Sequence, residues 1–309
     1  MKATHTIIAL CGILALASCE KVVEFNIDDT EPRVVVMAQG ESDSLLSVRL
    51  TYSRFFLDAN DFKVIDNATV SMVSNGTQWP AAVYQNDMYR FGQAAHCGDT
   101  LQLTVAVPGK QDITAACRVP FPPQASLTSV NEHVDGNGNN VVLHIRLNDP
   151  PDERNYYRIT LLSKYYWIDN YDNPNSTDTV FVATEHHFEC SDYAIIDQTD
   201  LTNIIDGENT FNGSQLSFSD DRINGQSHDI ILKFDHYYGD MNQYIIVMES
   251  LPRDLYLYER SITQSRNDME FLSEPTQIHC NVTKGAIGIF GIKARLDLPF
   301  EVTPPQSEY

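Results

Sequence analysis

Histidine and cysteine side chains cluster at two places in the C-terminal half of the chain. His186 and His187 lie shortly before Cys190, and His279 directly precedes Cys280. Imidazole and thiolate are ligands that bind zinc, so these five residues form a candidate metal site if the two stretches are neighbours in the fold. The spacing argues against this site, because residues four apart on a strand lie about 13 Å from each other. A histidine pair at a solvated strand end is the alternative, and we expect no metal and no cofactor.

Four cysteines are also candidates for disulfide bonds. An even number in an exported protein favours pairing. Pairing within each half of the chain predicts Cys97 with Cys117 and Cys190 with Cys280. The alternative is four free thiols that are buried as small apolar side chains.

The chain has no nucleophile motif of the G-x-S-x-G kind, no P-loop and no G-x-G-x-x-G after a strand. The carboxylate pairs Asp220 with Asp221 and Asp149 with Asp152 resemble the acid and base of a glycosidase. In a chain with 42 acidic residues such pairs are expected by chance, and we interpret them as turn and capping residues. We therefore predict that the protein is not an enzyme. The alternative is a metal-dependent or carboxylate-based hydrolase.

Two aromatic residues are candidates for binding a partner or ligand. Trp167 and Tyr171 border a polar stretch, residues 169–178, that is rich in Asp and Asn. Adjacent aromatics on a strand point to opposite faces, so about half of the aromatic clusters in this chain must lie in the core. Trp167 and Tyr171 are the pair that we expect to be exposed.

The N-terminal residues predict export. Lys2 supplies a positive charge, residues 7–16 are apolar, and small residues follow. This pattern is typical of a signal peptide, and it is too short for a transmembrane helix. Residues 1–18 are the predicted signal peptide, and residues 19–31 form a polar, acidic tether.

The four residues Leu16-Ala17-Ser18-Cys19 resemble the lipobox of bacterial lipoproteins. The resemblance implies cleavage before Cys19 and acylation of that cysteine, for example by palmitate. Each buried acyl methylene contributes about 0.8 kcal/mol, so several chains on one residue anchor a protein firmly. The alternative is a secreted protein in which Cys19 only lies near the cleavage site.

The charge of the chain excludes some partners. There are 21 basic and 42 acidic residues, which gives a net charge of −21. A surface of this charge repels nucleic acid and anionic lipid headgroups. We expect no nucleic-acid partner, and contact with the membrane only through the acyl chains.

The rest of the chain predicts an all-β fold with one helix. Short apolar or alternating runs are separated by turn residues, as in Ser74-Asn75-Gly76, at the spacing of a β-sandwich. Pro120, Pro122 and Pro123 cannot lie inside a sheet, so residues 120–124 predict a linker. We expect an immunoglobulin-like β-sandwich at residues 32–119 and a larger sandwich-like domain at residues 125–303.

One helix is predicted near residues 251–266. Ser250 is a capping residue, and Pro252 suits the first turn. The apolar residues Leu251, Leu255, Tyr258 and Ile262 recur at helical spacing and predict a buried stripe. Two further strands are expected at residues 276–282 and 287–294.

Motifs along the whole chain resemble a lipoprotein family of Bacteroidota, the domain of unknown function 4249. No single motif is specific, but their order and spacing are. The matching stretches are Cys19-Glu20-Lys21, Glu31–Val36, Ile65–Val70, Asn148-Asp149-Pro150, Asn155–Ile159, Phe218-Ser219-Asp220 with Gly225, Tyr256 with Tyr258, Glu274–Ile278 and Gly285–Gly291.

This resemblance implies an outer-membrane lipoprotein, on the cell surface rather than the periplasmic face, that is often encoded beside a SusC-like TonB-dependent transporter. It implies no activity and no catalytic residues. We therefore expect a non-enzymatic accessory or ligand-capture partner of such a transporter. A structural or adhesive surface lipoprotein is the alternative.

Overall fold

Eighteen strands and one helix make up the part of the chain that the structure describes. This structure is a computed structural model, and it describes residues 31–54, 60–135, 138–168, 179–196, 210–237, 242–267, 277–283 and 285–303. The strands are β1 Val34–Glu41, β2 Leu45–Tyr52, β3 Thr69–Ser74, β4 Thr77–Gln78, β5 Val83–Gln85, β6 Met88–Ala94, β7 Thr100–Ala106, β8 Ile113–Arg118, β9 Ala125–Asp135, β10 Gly138–Asn148, β11 Tyr156–Ile168, β12 Thr179–His186, β13 Phe188–Cys190, β14 Phe211–Gly213, β15 Gln215–Ser219, β16 Ser227–Tyr237, β17 Gln243–Ser250 and β18 Ala286–Glu301. The helix, α1, is Arg253–Asn267.

The strands form three sheets. The largest has nine strands in the order β12-β11-β17-β18-β1-β2-β6-β5, with β15 also paired to β11. The second has five strands in the order β14-β13-β16-β10-β9, and the third has four in the order β4-β3-β7-β8. The prediction of an all-β, sandwich-like fold with one helix is therefore confirmed.

The first and last strands lie side by side in the middle of the nine-stranded sheet. β1 pairs in parallel with β18 from Val34 opposite Ala286 to Glu41 opposite Lys293. Gly288 lies in this pairing with a φ of 133°. A Cβ at this position would lie 1.9 Å from the carbonyl oxygen of Val36, so the close approach of the two backbones requires glycine.

Two apolar cores lie against one face of the nine-stranded sheet. The first contains side chains of β1, β2 and β6 together with those of the four-stranded sheet. The second contains side chains of β11 and β17 together with those of the five-stranded sheet. β18 supplies Phe290 and Ile292 to the first core and Phe300 to the second. Strand alternation explains the pattern, as in β8, where Ile113, Ala115 and Cys117 are buried between exposed neighbours.

The helix covers the opposite face of the same sheet. Leu255 and Tyr256 pack with Ile289 of β18 and Tyr156 of β11 in a third, smaller cluster. A Cβ at Gly291 would lie 2.9 Å from Cβ of Leu255, which shows how closely α1 approaches β18. The layers are thus the two smaller sheets, the nine-stranded sheet and the helix.

The predicted division into two domains at residues 120–124 is not confirmed. The nine-stranded sheet combines β1, β2, β5 and β6 from before this linker with strands from after it. The prolines end β8 as expected, but the first core needs Phe290 and Ile292 from β18. The proline-rich linker therefore predicted where β8 ends, but it does not separate two sheets.

The predicted helix is confirmed with corrected details. It begins at Arg253, and Leu251 and Leu255 are buried as predicted. Tyr256, which lies outside the predicted stripe, is buried, whereas Tyr258 and Ile262 are only half-buried. The strand predicted at residues 276–282 is wrong for its described part, because residues 277–283 are irregular.

Candidate functional site

The irregular segment at residues 277–283, called the strap below, joins the helix to the sheets. The Asn281 side chain donates from Nδ2 to the carbonyl oxygen of Phe290 at 2.7 Å and accepts at Oδ1 from the Phe290 N–H at 2.9 Å. The Thr283 N–H donates to the carbonyl of Thr114 at 3.0 Å, and the Thr114 N–H donates to Oγ1 of Thr283 at 3.0 Å. The side-chain amide of Asn281 thus takes the place of a strand neighbour. The strap thereby satisfies the backbone N–H and carbonyl groups of Phe290 in β18, although it is not itself a strand.

His279 fastens the strap to the helix. Its Nε2 lies 2.8 Å from Oδ1 of Asp254, and its backbone N–H donates to Oγ of Ser261 at 3.0 Å. Asp254 is in the first turn of α1, where a negative charge is favoured by the helix dipole. The strap therefore contacts both the first and the third turn of the helix.

A groove of about 830 Å³ lies between β1, β18, the strap and the helix. Val35, Met37 and Ile287 give it apolar walls, and Arg33 and Cys280 also line it. The Cys280 thiol accepts a hydrogen bond from the Gly288 N–H at 3.4 Å. This arrangement suits an apolar side chain of a ligand or partner.

A second cavity, called the arginine cleft below, has a volume of about 420 Å³. Its walls come from the end of β8, the proline linker, the turn before β11, the start of α1 and Asn281 of the strap. Arg118, Arg154 and Arg253 line it, together with Glu153 and Phe121. Each of these arginines faces a carboxylate: Arg118 pairs with Glu153, Arg154 with Asp221, and Arg253 lies 3.9 Å from Asp254, which also lines the cleft.

Three of the family-like motifs meet in one polar network beside the second core. Asp149 accepts hydrogen bonds from the Tyr157 hydroxyl at 2.6 Å and from the Gly225 N–H at 2.9 Å. Asp220 accepts from the Asn155 N–H at 2.7 Å. Gly225 has a φ of 70°, and a Cβ there would lie 2.8 Å from Cβ of Pro151. The network joins the β10–β11 turn to the turn after β15, so these motifs have a structural role.

Burial changes the acid–base behaviour of this network. Loss of water raises the pKa of Asp220, and the nearby charge of Asp149 adds to the rise. Among the described residues, Oδ1 of Asp220 is buried without a hydrogen-bond partner, although Oδ2 accepts from Asn155. Burial, with the hydrogen bond to Asp149, also raises the pKa of Tyr157. Of the predicted carboxylate pairs, Asp149 and Asp220 thus support turns, and Asp221 pairs with Arg154.

The structure does not bring the predicted metal ligands together. His186 and His187 line a third cavity beside β13, whereas His279 and Cys280 line the groove. Cys190 belongs to the second core. Among the residues that the structure describes, no group of three His, Cys, Asp or Glu side chains is placed to hold a metal ion.

The predicted disulfides are absent from the described residues, where Cys97, Cys117, Cys190 and Cys280 are free. Cys117 faces the first core, and its thiol accepts from the Ile292 N–H at 3.4 Å. Burial raises the pKa of Cys117 and of Cys190 to about 11. The structure therefore corrects the pairing of Cys97 with Cys117 and of Cys190 with Cys280: Cys117 and Cys190 pack in the two cores, and the Cys280 thiol accepts from the Gly288 N–H.

Three predicted residues have no described side chain. Cys19 lies outside the described residues, and so does Tyr171. Trp167 is described as a backbone position of β11, opposite Val180 of β12. Their assigned roles stay predictions.

Sequence reasoning missed the arginine cleft. Arg118, Arg154 and Arg253 are far apart in the chain, and no motif links them. The one available signal was the start of the helix, where Arg253 is the first residue. The role of Asn281 was also missed, because a side chain that completes a strand pairing has no sequence pattern.

The fold and these cavities define a mostly β, sandwich-like protein with one helix on its largest sheet. The family model described as "Domain of unknown function (DUF4249)" matches residues 20–296, so the chain belongs to this family. A search of curated proteins found no match.

Similarity to solved structures is remote. One match is a chain from the structure of a manganese lipoxygenase of Gaeumannomyces graminis and partial zonadhesin of Komagataella pastoris. It has a TM-score of 0.20 and 8% identity, over 87% of this chain and 93% of that one. Another is a collagen adhesin of S. aureus, with a TM-score of 0.19 and 6% identity, over 89% and 97%. Among the described residues, no helix is long and apolar enough to span a membrane.

Proposed function

We propose that the protein is a non-enzymatic lipoprotein of the outer membrane, anchored through acyl groups on Cys19, that assists a SusC-like TonB-dependent transporter at the cell surface. The sequence of residues 16–19 supports the anchor, and the family resemblance supports the partner. The observation that carries the proposal is that the groove is lined by Arg33 and Val35, which follow the predicted tether closely in the chain.

Arg33 and Val35 line the groove, and the predicted acylated residue is Cys19. A chain of 14 residues reaches about 50 Å at most when fully extended. The groove would therefore lie within this distance of the proposed anchor, which leaves it free to meet a loop of a transporter barrel in the same membrane. Its apolar walls suit a side chain from a loop of such a barrel.

The first strand after the tether is firmly held. β1 lies between β18 and β2 in the interior of the nine-stranded sheet, with hydrogen bonds on both sides. A pull on the tether therefore acts on paired backbone and not on a fraying edge strand. This attachment suits a body that must stay beside a membrane partner.

The test is a pulldown of the tagged protein from outer membranes solubilised in detergent, read by mass spectrometry. We expect a TonB-dependent transporter to copurify with the wild type. Val35→Lys places a charge in the groove and should reduce recovery of the transporter. Ile231→Lys is the matched control, because Ile231 is 42% exposed on the outer face of the five-stranded sheet.

Anchoring is tested separately. Cys19→Ala should leave the protein unprocessed or released from the membrane, while Cys97→Ala, which changes a half-buried free cysteine, should be processed and retained. Retention of a processed Cys19→Ala protein would contradict the anchor. A wild type that is anchored but recovers no transporter would contradict the accessory role and favour a structural or adhesive one.

A further inference from the structure

The helix covers only part of its face of the nine-stranded sheet. The strands beyond it carry what is called the open face below, defined as the side chains of Leu45, Ser47, Arg49, Val83, Met88 and Arg90. Met37 of β1 packs at the edge of the helix cluster. By contrast, Leu45 is 69% exposed and Val83 is 67% exposed. The open face therefore extends from the groove, which Met37 lines, to the edge strand β5.

Two arginines are neighbours on the open face. Arg49 is opposite Met37 in the β1–β2 pairing, and Arg90 is opposite Ser47 in the β2–β6 pairing. Arg49 is two residues beyond Ser47, so its Cα lies about 7–8 Å from that of its diagonal neighbour Arg90. Both side chains are exposed. Like charges at this spacing repel each other, and an anion bound between them removes the repulsion.

Among the described residues, no carboxylate pairs with either of these arginines. β2, β5 and β6 contain no Asp or Glu. The acids in the two adjoining turns have other partners: Oδ1 of Asp43 lies 2.5 Å from Nδ1 of His96, and Oδ1 of Asp87 accepts from the Tyr84 hydroxyl at 3.0 Å. The guanidinium groups of the open face therefore keep their N–H donors for a ligand.

The groove beside the open face also lacks acids. Its described lining contains Arg33 and no Asp or Glu, and its apolar walls include Val35 and Ile287. From β1, which lines the groove, to β6, which carries Arg90, is two strand spacings, or about 10 Å. An apolar pocket and two arginines without acid partners thus lie within reach of one short peptide segment.

We propose that the groove and the open face together bind one acidic segment of the partner protein. An apolar side chain of this segment occupies the groove, and its carboxylates bind Arg49 and Arg90, since guanidinium groups match planar carboxylates in a bidentate way. The net charge of −21 repels such a segment from the rest of the surface, so charge complementarity directs it to this face. The inference rests on the proposed function, because it names the chemistry of the transporter loop that enters the groove.

The test uses the purified full chain in detergent and no transporter. The probe is a five-residue peptide with leucine first, glutamate third and fifth, and serine between, labelled with fluorescein at its C-terminal end. In an extended chain these three side chains lie on one side. We expect fluorescence anisotropy to show that the wild type binds this peptide. The same peptide with lysine in place of glutamate should not bind.

Two variants locate the binding on the open face. Arg49→Gln and Arg90→Gln should each raise the dissociation constant by about tenfold, the effect of one charge-assisted hydrogen bond. Arg146→Gln is the matched control, because it changes the net charge equally and Arg146 pairs with Asp229 on the five-stranded sheet. It should leave the dissociation constant unchanged. Circular dichroism verifies that each variant keeps its fold.

Three outcomes would overturn the inference. One is a wild type that does not bind the glutamate peptide, even if a transporter copurifies in the pulldown. Another is an equal loss of binding in Arg146→Gln, which would indicate attraction without a site. The third is displacement of the peptide by glycerol phosphate at an equal molar concentration, which would assign the arginines to phosphate headgroups. Peptide binding at Arg49 and Arg90 without recovery of a transporter would support the acidic-segment site and contradict the proposed function alone.

Discussion

Two groups of acids lie on opposite faces of the nine-stranded sheet near the start of β11, and they are stabilised by different means. On the helix side of the sheet, Glu249 contacts Arg158 at 2.6 Å and also pairs with Lys293, and Glu259 of α1 contacts Arg158 at 2.9 Å. In the polar network beside the second core, Asp149 and Asp220 form no ion pair within the described residues. N–H and hydroxyl groups bind them instead.

The difference shows what a buried carboxylate needs. A network that contains cations joins elements through charge, and loss of one cation removes an ion pair from each acid that it contacts. A network of N–H and hydroxyl donors joins elements through geometry, and one oxygen of Asp220 has no donor in the part of the chain that the structure describes. We therefore expect substitutions in the first network to lower the free energy of unfolding strongly. In the second network, some substitutions should lower this free energy and others should raise it.

The largest expected effect is in the cation network. Arg158→Met removes the group that Glu249 and Glu259 share, so Glu259 loses this partner and Glu249 keeps Lys293. The free energy of unfolding should fall by about 3–5 kcal/mol, measured by urea denaturation. Arg158→Lys keeps the charge and should lose less. Equal losses in the two variants would mean that geometry and not charge holds this network.

Asp149→Asn should come next. It exchanges a carboxylate that accepts from Tyr157 and Gly225 for an amide, and we expect a loss of about 1.5–3 kcal/mol. Tyr157→Phe removes one donor and should lose about 1 kcal/mol. A larger loss of stability from Tyr157→Phe than from Asp149→Asn would mean that the Tyr157 hydroxyl, and not the Asp149 carboxylate, contributes most to this network.

Asp220→Asn should have the opposite effect on the free energy of unfolding. Its pKa is raised in the folded state, so folding binds the proton more tightly and the ionised form is penalised at neutral pH. The variant should be more stable than the wild type at pH 7. This advantage should shrink as the pH falls through the folded pKa of Asp220, because the wild type then becomes protonated. A constant difference between pH 7 and pH 4 would contradict this account.

The smallest effect is expected on the surface. Arg146 and Asp229 form a pair on the exposed face of the five-stranded sheet, and the hydrogen bond from Arg146 lowers the pKa of Asp229. Any stabilisation from a lowered pKa is present above the unfolded pKa and is lost as the pH falls through the folded one. Solvent screens this exposed pair, so Arg146→Gln should not shift the urea midpoint measurably. A clear shift of the midpoint would show that this surface pair contributes as much to stability as the buried networks do.

Much of the secondary structure was predictable from sequence. The alternation of Leu46, Val48 and Leu50 marks β2, and all three side chains are buried. Asn75 and Gly76 have φ values of 50° and 80° in the turn between β3 and β4, as the predicted hairpin requires. Such signals are local, since they depend on side-chain spacing and on turn chemistry.

The parallel pair of β1 and β18 was not predictable, because pairing between distant strands leaves no local pattern. The strap was predicted as a strand because residues 277–282 have strand-like composition. Only the fold shows that the Asn281 side chain replaces a strand neighbour of β18. The arginine cleft depends on the same long-range arrangement. The Asp149 network was visible in the sequence as family-like motifs, but not as a set of contacts.

The pairing of β1 with β18 has a consequence for how the chain folds. Val34 is made early in synthesis, and its partner Ala286 is among the last residues of the fold. The first core therefore stays incomplete, with one side of β1 unpaired, until the C-terminal strand arrives. Contacts between such distant residues form slowly, because a long loop must close before they can form. We expect nascent or truncated chains that lack β18 to depend on chaperones until the last strand is inserted beside the first.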